Sequence, residues 1–132
     1  MSAEDTIRAY YAAFNRADWD GMCALLAEEV AHHVNQGGCE TGRPAFRAFL
    51  ARMERAYCER VEDLVVMATA DGTRAAAEFT IHGTYLASEP GLPPARGQSY
   101  RLPVGAFFAL RGGLVTRVSN FYNLEDWLRQ VR

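Results

Sequence analysis

The sequence predicts an α+β domain in which helices cover one face of a curved, mainly antiparallel sheet. Apolar residues recur at helical spacing as far as Tyr57, and from Val61 onward the period becomes that of extended strands. Turns at Asp71-Gly72 and Arg111-Gly-Gly113 separate long runs of alternating polarity, which indicates hairpins. The predicted order is ααβαββββ, in one domain spanning residues 1–132.

Three helices are predicted in the first half of the chain. Ser2 and Asp5 form a weak capping box before a helix that ends near Ala17 and carries an apolar stripe of Ile7, Tyr10, Tyr11 and Phe14. Asp18 caps a short second helix that carries Trp19, Met22, Leu25 and Leu26. Pro44 favours the first turn of a third helix, whose buried stripe is Phe46, Phe49, Leu50, Met53 and Tyr57.

Strands account for most of the remaining residues. A short strand is predicted over residues 30–36, and longer ones over 61–69, 75–86, 99–110 and 114–122. Residues 88–97 contain three of the five prolines and are predicted to form a loop, which either covers the mouth of a ligand site or forms a rigid hairpin tip. A last helical segment over residues 124–131 is expected to bury Trp127.

These elements predict a cone with an internal cavity. The first helix is the most aromatic, so we expect the curved sheet to wrap around it. A sheet that curls over a helix without closing leaves a conical hollow, and hollows of this kind are common ligand sites.

Composition excludes two classes of partner. The formal net charge is −2 and the arginines are scattered from Arg8 to Arg132, so no basic patch indicates nucleic-acid binding. No apolar run approaches the roughly 20 residues that cross a bilayer.

The first residues, MSAEDTIRAYY, lack the pattern of a signal peptide, and the three cysteines are widely spaced. A cytoplasmic location with buried, reduced thiols is therefore expected.

Several segments together resemble a known family. They are IRAYYAAFNRADWDGMCALLAEEV, the strand that runs into GG and GRPAFRAFL, and the closing GAFFALRGGLVTRVSNFYNLEDW. In this order they resemble the ketosteroid isomerase-like group, which includes the SnoaL-like polyketide cyclases and belongs to the superfamily of nuclear transport factor two. The resemblance spans nearly the whole chain and implies the cone-shaped fold. It leaves the chemistry open, because this fold carries isomerases, cyclases, epoxide hydrolases, dehydratases and non-catalytic binding proteins.

The resemblance also implies roles for individual positions. The family's oxyanion-binding tyrosine corresponds to Tyr10, which precedes Asp18 by eight residues. The family's carboxylate base belongs near His33, yet no Asp or Glu lies between Glu29 and Glu40. Its protonated acid belongs near Ala106, where none is present.

The segment HHVNQGG, residues 32–38, is the first candidate site. Side chains alternate along a strand, so His33 and Asn35 share one face and His32 the other, with the register open by one residue. If His33 faces inward, its imidazole can replace the missing base, and Asn35 can orient a carbonyl or a water. The alternative is that both are polar residues at an exposed strand end. Adjacent strand histidines diverge, so no metal site is predicted.

The later strands supply further candidates. Counting from the Gly-Gly turn places Asn120 and Tyr122 on the inward face, where they can contact a ligand. Tyr85 is predicted to line the same cavity, together with Phe79 and Ile81. Glu78 and His82 then lie on the convex face, although the reversed register would make them an acid/base pair.

The leading hypothesis is a cofactor-independent isomerase or cyclase that moves a proton on a hydrophobic, carbonyl-bearing small molecule. Tyr10 would stabilise the oxyanion and His33 would move the proton, while Asn35, Asn120, Tyr122 and Tyr85 would contact substrate. The alternative is a non-catalytic module of the same fold that binds a small molecule or dimerises. An epoxide hydrolase is a third candidate, but no inward Asp is predicted. Long strands with mixed outer faces also predict a homodimer formed through the sheet.

Overall fold

Four helices and one six-stranded sheet form the molecule. The structure is a computed structural model that describes residues 1–132. In chain order the elements are α1 (Ala3–Asn15), α2 (Trp19–Cys23), β1 (Leu26–His33), β2 (Cys39–Thr41), α3 (Arg43–Ala56), β3 (Tyr57–Ala68), β4 (Arg74–Tyr85), β5 (Ser99–Arg111), β6 (Leu114–Tyr122) and α4 (Leu124–Val131). No helix combines the length and apolar character needed to span a membrane.

The sheet has the order β2-β1-β6-β5-β4-β3. Strands β3 to β6 form an antiparallel meander, whereas β1 pairs with β6 in parallel and with β2 antiparallel. This mixed, curved sheet confirms the predicted α+β class and most of the predicted order. The short strand β2, which follows the Gly-Gly turn, was not predicted.

Local signals explain where the helices begin. The Ser2 hydroxyl accepts a hydrogen bond from the Asp5 amide at 3.1 Å, and the Asp5 carboxylate accepts one from the Ser2 amide at 3.3 Å. Pro44 lies in the first turn of α3, as predicted. At the start of α4, the Asn123 side chain accepts from the Asp126 amide at 3.2 Å. Each cap gives a hydrogen-bond partner to a backbone N–H that the helix itself leaves free. Pro44 has no backbone N–H, and in the first turn of a helix none is needed.

Two predicted strand starts are wrong, and both differences affect the site. Strand β1 begins at Leu26 rather than at residue 30, because Leu26 and Val30 are fully buried along the sheet and α2 ends at Cys23. Strand β3 begins at Tyr57, immediately after α3, rather than at Val61. The helical spacing of Tyr57 from Met53 concealed the start of this strand.

Helix α1 packs into the concave face of the sheet through aromatic rings. The Tyr11 ring lies 4.8 Å from Phe79 and the Tyr10 ring lies 5.6 Å from Phe108, measured between centroids. At the end of the helix, the Asn15 side chain donates to the Val61 carbonyl at 3.0 Å and accepts from the Val61 amide at 2.8 Å. Just beyond Val61 the pairing of β3 shifts, and Asp63 has a φ of 56°. Such a bulge increases bending and twist, so the sheet curls around the helix.

The inner and outer faces of the meander follow the predicted alternation. Phe79, Ile81 and Tyr85 are buried on the inner face, and Glu78 is exposed on the outer face. His82 Nε2 is 3.0 Å from the Glu62 carboxylate on the outer face. The reversed register, in which Glu78 and His82 would face the interior, is therefore excluded.

Gly83 on β4 leaves room for a contact between side chains of β3 and β5, the strands on either side of it. It lies on β4 opposite Tyr100 of β5 on one side and Glu59 of β3 on the other. The Tyr100 ring crosses directly over Gly83, where an added Cβ would lie 2.3 Å from Cζ and 2.5 Å from the hydroxyl oxygen. The hydroxyl then donates to Glu59 Oε2 at 2.6 Å. A side chain at position 83 would block this contact.

We expect Gly83→Ala to destabilise the protein by about 1–3 kcal/mol, because the new methyl group must displace a packed ring. Urea unfolding followed by circular dichroism measures this change. Gly105→Ala is the matched control, since its Cβ would meet nothing within 4 Å. Equal stability of the two variants would show that Tyr100 moves away from Gly83 without cost.

Candidate functional site

The structure places His32, rather than His33, on the inner face. His32 is 1 % exposed, whereas His33 is exposed. The sequence left this register open by one residue, and the structure has the register in which His33 faces outward. The physical reason is that Val30 and His32 both lie on the buried face of this strand. The strand was predicted to begin at residue 30, which left too few buried residues to decide which histidine faces inward. The His33 ring instead lies 3.9 Å from the Cys39 sulfur, across the β1–β2 pair.

His32 is enclosed by aromatic rings from α3. Its ring centroid lies 4.6 Å from the centroids of both Phe46 and Phe49. Removal from water disfavours the charged imidazolium, and nearby His33 and Arg52 disfavour it further, which lowers the pKa of His32 to about 4. The ring is therefore neutral at physiological pH.

Asn120 is the one polar partner of His32. The Asn120 amide nitrogen lies 3.4 Å from Nε2 of His32, while Nδ1 is buried without any hydrogen-bonding partner. If the amide nitrogen donates to Nε2, the ring carries its proton on Nδ1; if the amide oxygen accepts from Nε2, Nδ1 is a free base. In both arrangements Nδ1 has no hydrogen-bonding partner, and a substrate carbonyl or hydroxyl could supply one. An unmet polar group of this kind costs about 1–3 kcal/mol.

Tyr10 lies deeper in the cone than the His32–Asn120 pair. It is 4 % exposed, its ring packs on Tyr11, Phe46 and Phe108, and its hydroxyl has no hydrogen bond to the protein. Burial raises the pKa of Tyr10 well above its ordinary value, with a further contribution from nearby Cys23. The structure therefore keeps Tyr10 neutral and does not bring it together with His33.

The other predicted contact residues occupy different surroundings. The Asn35 side chain accepts from the Tyr122 amide at 3.1 Å, so it caps the end of β6. His33, Asn35 and Asn120 also border a shallow surface hollow of about 280 Å³ beside the Gly-Gly turn. Tyr85 is fully buried, and its hydroxyl donates to the Pro93 carbonyl at 2.8 Å. Tyr122 is 38 % exposed at the end of its strand.

Sequence reasoning missed an inward-facing carboxyl group, Glu59. It shares the inner face of β3 with Tyr57 and Val61, and its Oε2 accepts the hydrogen bond from Tyr100. Its second oxygen, Oε1, has no hydrogen-bonding partner in the protein and is not sealed from solvent. The alternation of Tyr57, Glu59 and Val61 was the available signal, but it becomes visible only once β3 is known to begin at Tyr57.

Aromatic rings pack together beside Tyr100, the hydrogen-bond partner of Glu59. Trp127 of α4 packs on Tyr57, Tyr85 and Tyr100 at centroid distances of 6.2, 5.1 and 5.9 Å. The Tyr57 and Tyr85 rings stack at 5.5 Å with an interplanar angle of 15°. We call this group the carboxyl recess; its members are Tyr57, Glu59, Tyr85, Tyr100, Tyr122 and Trp127.

The charges in the carboxyl recess are all acidic. Burial raises the pKa of Glu59, and the Tyr100 hydrogen bond opposes this rise without cancelling it. Burial also raises the pKa of Tyr122, and the Glu59 charge raises it further. Burial is likewise the largest cause of the raised pKa of Tyr57, followed by Glu89. No basic side chain contributes to these shifts.

The inner face thus holds two separate polar groups in aromatic surroundings. His32 with Asn120 can donate or accept a proton as a neutral imidazole, and Glu59 with Tyr100 can act as a carboxylate or as a carboxylic acid. No group of three or more His, Cys, Asp or Glu side chains is arranged to hold a metal ion.

A curved sheet around one helix, with polar groups on an aromatic inner face, defines a cone-shaped α+β domain. Residues 7–118 match the family model described as "SnoaL-like domain". The chain belongs to this SnoaL-like family.

Solved structures agree with this assignment. A candidate polyketide cyclase from Pseudomonas putida is 54% identical, with a TM-score of 0.98 over 100% of this chain and 99% of that one. A second, from Xanthomonas campestris, is 54% identical, with a TM-score of 0.96 over 98% and 96% of the two chains. An NTF2-like protein from Burkholderia pseudomallei, 21% identical, shares the fold with a TM-score of 0.83 over 99% and 98%. None of the curated proteins matches this sequence.

The lowered pKa of His32 predicts acid sensitivity. The folded-state pKa of about 4 lies below the ordinary value of 6.5, so the unfolded chain takes up the proton first as the pH falls. Stability is therefore complete above pH 6.5 and should fall by about 2–3 kcal/mol between pH 6.5 and 4. Urea unfolding at a series of pH values measures the loss.

His32→Phe retains an aromatic ring beside Phe46 and Phe49 and should remove most of this pH dependence. His33→Asn is the matched control, because His33 is exposed, and it should retain the dependence of the wild type. A His32→Phe protein that still loses 2–3 kcal/mol over this range would show that another group is responsible.

Proposed function

We propose that the protein is a cofactor-independent isomerase or cyclase that moves a proton on a hydrophobic, carbonyl-bearing small molecule. The observation that supports this most directly is His32, a buried neutral imidazole with one ring nitrogen unpartnered beside Asn120. The substrate would approach the inner face from the side of Asn120, which is partly exposed. The polyketide cyclase names of the two structures at 54% identity agree with this class of reaction.

In this proposal, His32 takes the role that the sequence suggested for His33. Its unpartnered Nδ1 would accept a proton from the substrate α-carbon and return it to another carbon of the same substrate, while the Asn120 amide oxygen accepts from Nε2–H and so keeps Nδ1 free as the base. Because the ring is uncharged above about pH 5, it is available for proton exchange throughout the physiological range. Tyr122 would contribute apolar contact surface, with fully buried Tyr85 packed behind it rather than in contact with substrate, and Tyr10 would supply a neutral hydroxyl from the interior.

Proton exchange can be tested before the natural substrate is known. A panel of hydrophobic ketones and β-diketones is incubated with the protein in deuterium oxide, and deuterium entry at the α-carbon is followed by NMR. We expect at least one compound to exchange faster with the protein present. General acid–base groups contribute about 100- to 10,000-fold, so His32→Phe should lower the rate at least 100-fold.

His33→Asn is the control for that experiment and should exchange at the wild-type rate. Thermal melting of both variants verifies that they are folded. Exchange that survives in folded His32→Phe would remove His32 from the reaction. Compounds that bind without any exchange would favour the alternative, a non-catalytic binding module of the same fold.

We also propose that two copies pack through the outer face of the sheet. Phe107 and Phe121 are 49 % and 56 % exposed there, and their rings contact each other at 5.8 Å. Phe107, Ala76 and Met67 are opposite one another on β5, β4 and β3, which makes a continuous apolar stripe. An exposed stripe of this kind, self-complementary about a two-fold axis, is typical of homodimers. The cytoplasmic location expected from the sequence remains a prediction.

Phe107→Glu should convert the dimer to a monomer, because it places a charge in the middle of the apolar stripe. Size-exclusion chromatography with light scattering measures the mass. Leu86→Glu is the matched control, since Leu86 is 53 % exposed just beyond β4 and outside the stripe. A wild-type protein that is monomeric at high concentration would contradict the proposal.

A further inference from the structure

The carboxyl recess has the chemistry of a site for an organic cation. We propose that Glu59 and the rings around it bind a substituted ammonium group, either as a separate ligand or as part of the substrate. This site does not depend on proton transfer by His32, because the His32–Asn120 pair and the carboxyl recess share no residue, although Asn120 and Tyr122 both lie on β6.

The first argument is the unequal use of the two Glu59 oxygens. Tyr100 donates to Oε2 at 2.6 Å, which holds the carboxyl group in one orientation, whereas Oε1 has no partner in the protein. No Lys, Arg or His forms an ion pair with Glu59. A partly buried carboxylate without a cation is disfavoured relative to the neutral acid, and a bound cation would stabilise its ionised form.

The second argument is the character of the walls. Tyr57 and Tyr122 are the partly exposed rings near Glu59. The buried rings of Tyr85, Tyr100 and Trp127 pack with Tyr57 at ring centroid distances of 5.1 to 6.2 Å and support it from behind. The faces of such rings carry partial negative charge and attract quaternary or alkylated ammonium groups. Rings together with one carboxylate therefore favour a cation over an anion or a neutral carbonyl compound.

The third argument is access. Tyr85, Tyr100 and Trp127 are 0, 2 and 4 % exposed and form the closed side of the recess. Tyr57 and Glu59 are partly exposed, and Tyr122 is 38 % exposed, so these three residues form the open side. A ligand can therefore approach Glu59 without displacing the buried rings.

Choline and 3,3-dimethylbutan-1-ol are suitable probes, because they have nearly the same shape and differ in charge. Binding is measured by isothermal titration calorimetry, and the NMR signal of the Trp127 indole N–H reports its location. We expect choline to bind at least tenfold more tightly than the neutral alcohol. Glu59→Gln should weaken choline at least tenfold and leave the alcohol unchanged.

Tyr100→Phe tests the positioning role of the tyrosine and does not remove the carboxyl group. The titratable groups that face Glu59 are Tyr57, Tyr100 and Tyr122, with Glu89 nearby on the loop after β4. Because Tyr100 favours the ionised form of Glu59, its loss should move the onset of choline binding to higher pH. At sufficiently alkaline pH the variant should again bind choline, which a merely structural defect would not allow.

Three outcomes would overturn the proposal. They are equal binding of the two probes, choline binding that is unchanged in a folded Glu59→Gln protein, and preference for a neutral ketone that Glu59→Gln abolishes. The last result would assign Glu59 as a carboxylic acid that donates to a carbonyl. Failure of deuterium exchange with normal choline binding would count against the role of His32 alone.

Discussion

The packing of α1 into the concave face of the sheet is the constraint on which the rest of the structure depends. Tyr10 and Tyr11 of α1 contact Phe108 and Phe79 of the sheet, and this contact keeps the inner face apolar and closed at its centre. Asn15 ties the end of the same helix to β3 next to the bulge. The helix and the bend of the sheet therefore maintain each other, and polar groups reach the interior only around this central packing.

One physical cause, removal from water, gives the two inner polar groups opposite shifts. His32 is neutral when deprotonated, so burial lowers its pKa, whereas Glu59 is neutral when protonated, so burial raises its pKa. Both groups are pushed toward their uncharged forms. A ligand with a complementary charge or hydrogen-bonding group therefore meets polar atoms of His32 and Glu59 that are not already hydrogen-bonded to water.

The sequence was sufficient to predict the architecture, because hydrophobic period and turn residues determine it locally. The alternation of Phe79, Ile81 and Tyr85 correctly oriented β4, and the shared face of Val118, Asn120 and Tyr122 correctly oriented the end of β6. The orientation of His32 and His33 was not predictable in the same way. A shift of one residue exchanges the two faces, and the parity of β1 is set by pairing with β6, far away in the chain.

Glu59 illustrates a second limit. Its strand follows a helix with no turn residue between them, so the change of period at Tyr57 has no local marker. Its partner, Tyr100, reaches it only because Gly83 on the intervening strand has no side chain. Contacts that depend on a third residue across a sheet cannot be found from the spacing of the two partners.

The pairing of β1 with β6 also bears on how the chain folds. It is the only parallel pair in the sheet, and it brings His32 to Asn120, 88 residues away. Closing so long a segment carries a large entropic cost, whereas the β3–β6 meander forms through short hairpin connections. We therefore expect the His32–Asn120 contact to form late, after the meander, so that intermediates with an ordered meander still lack it.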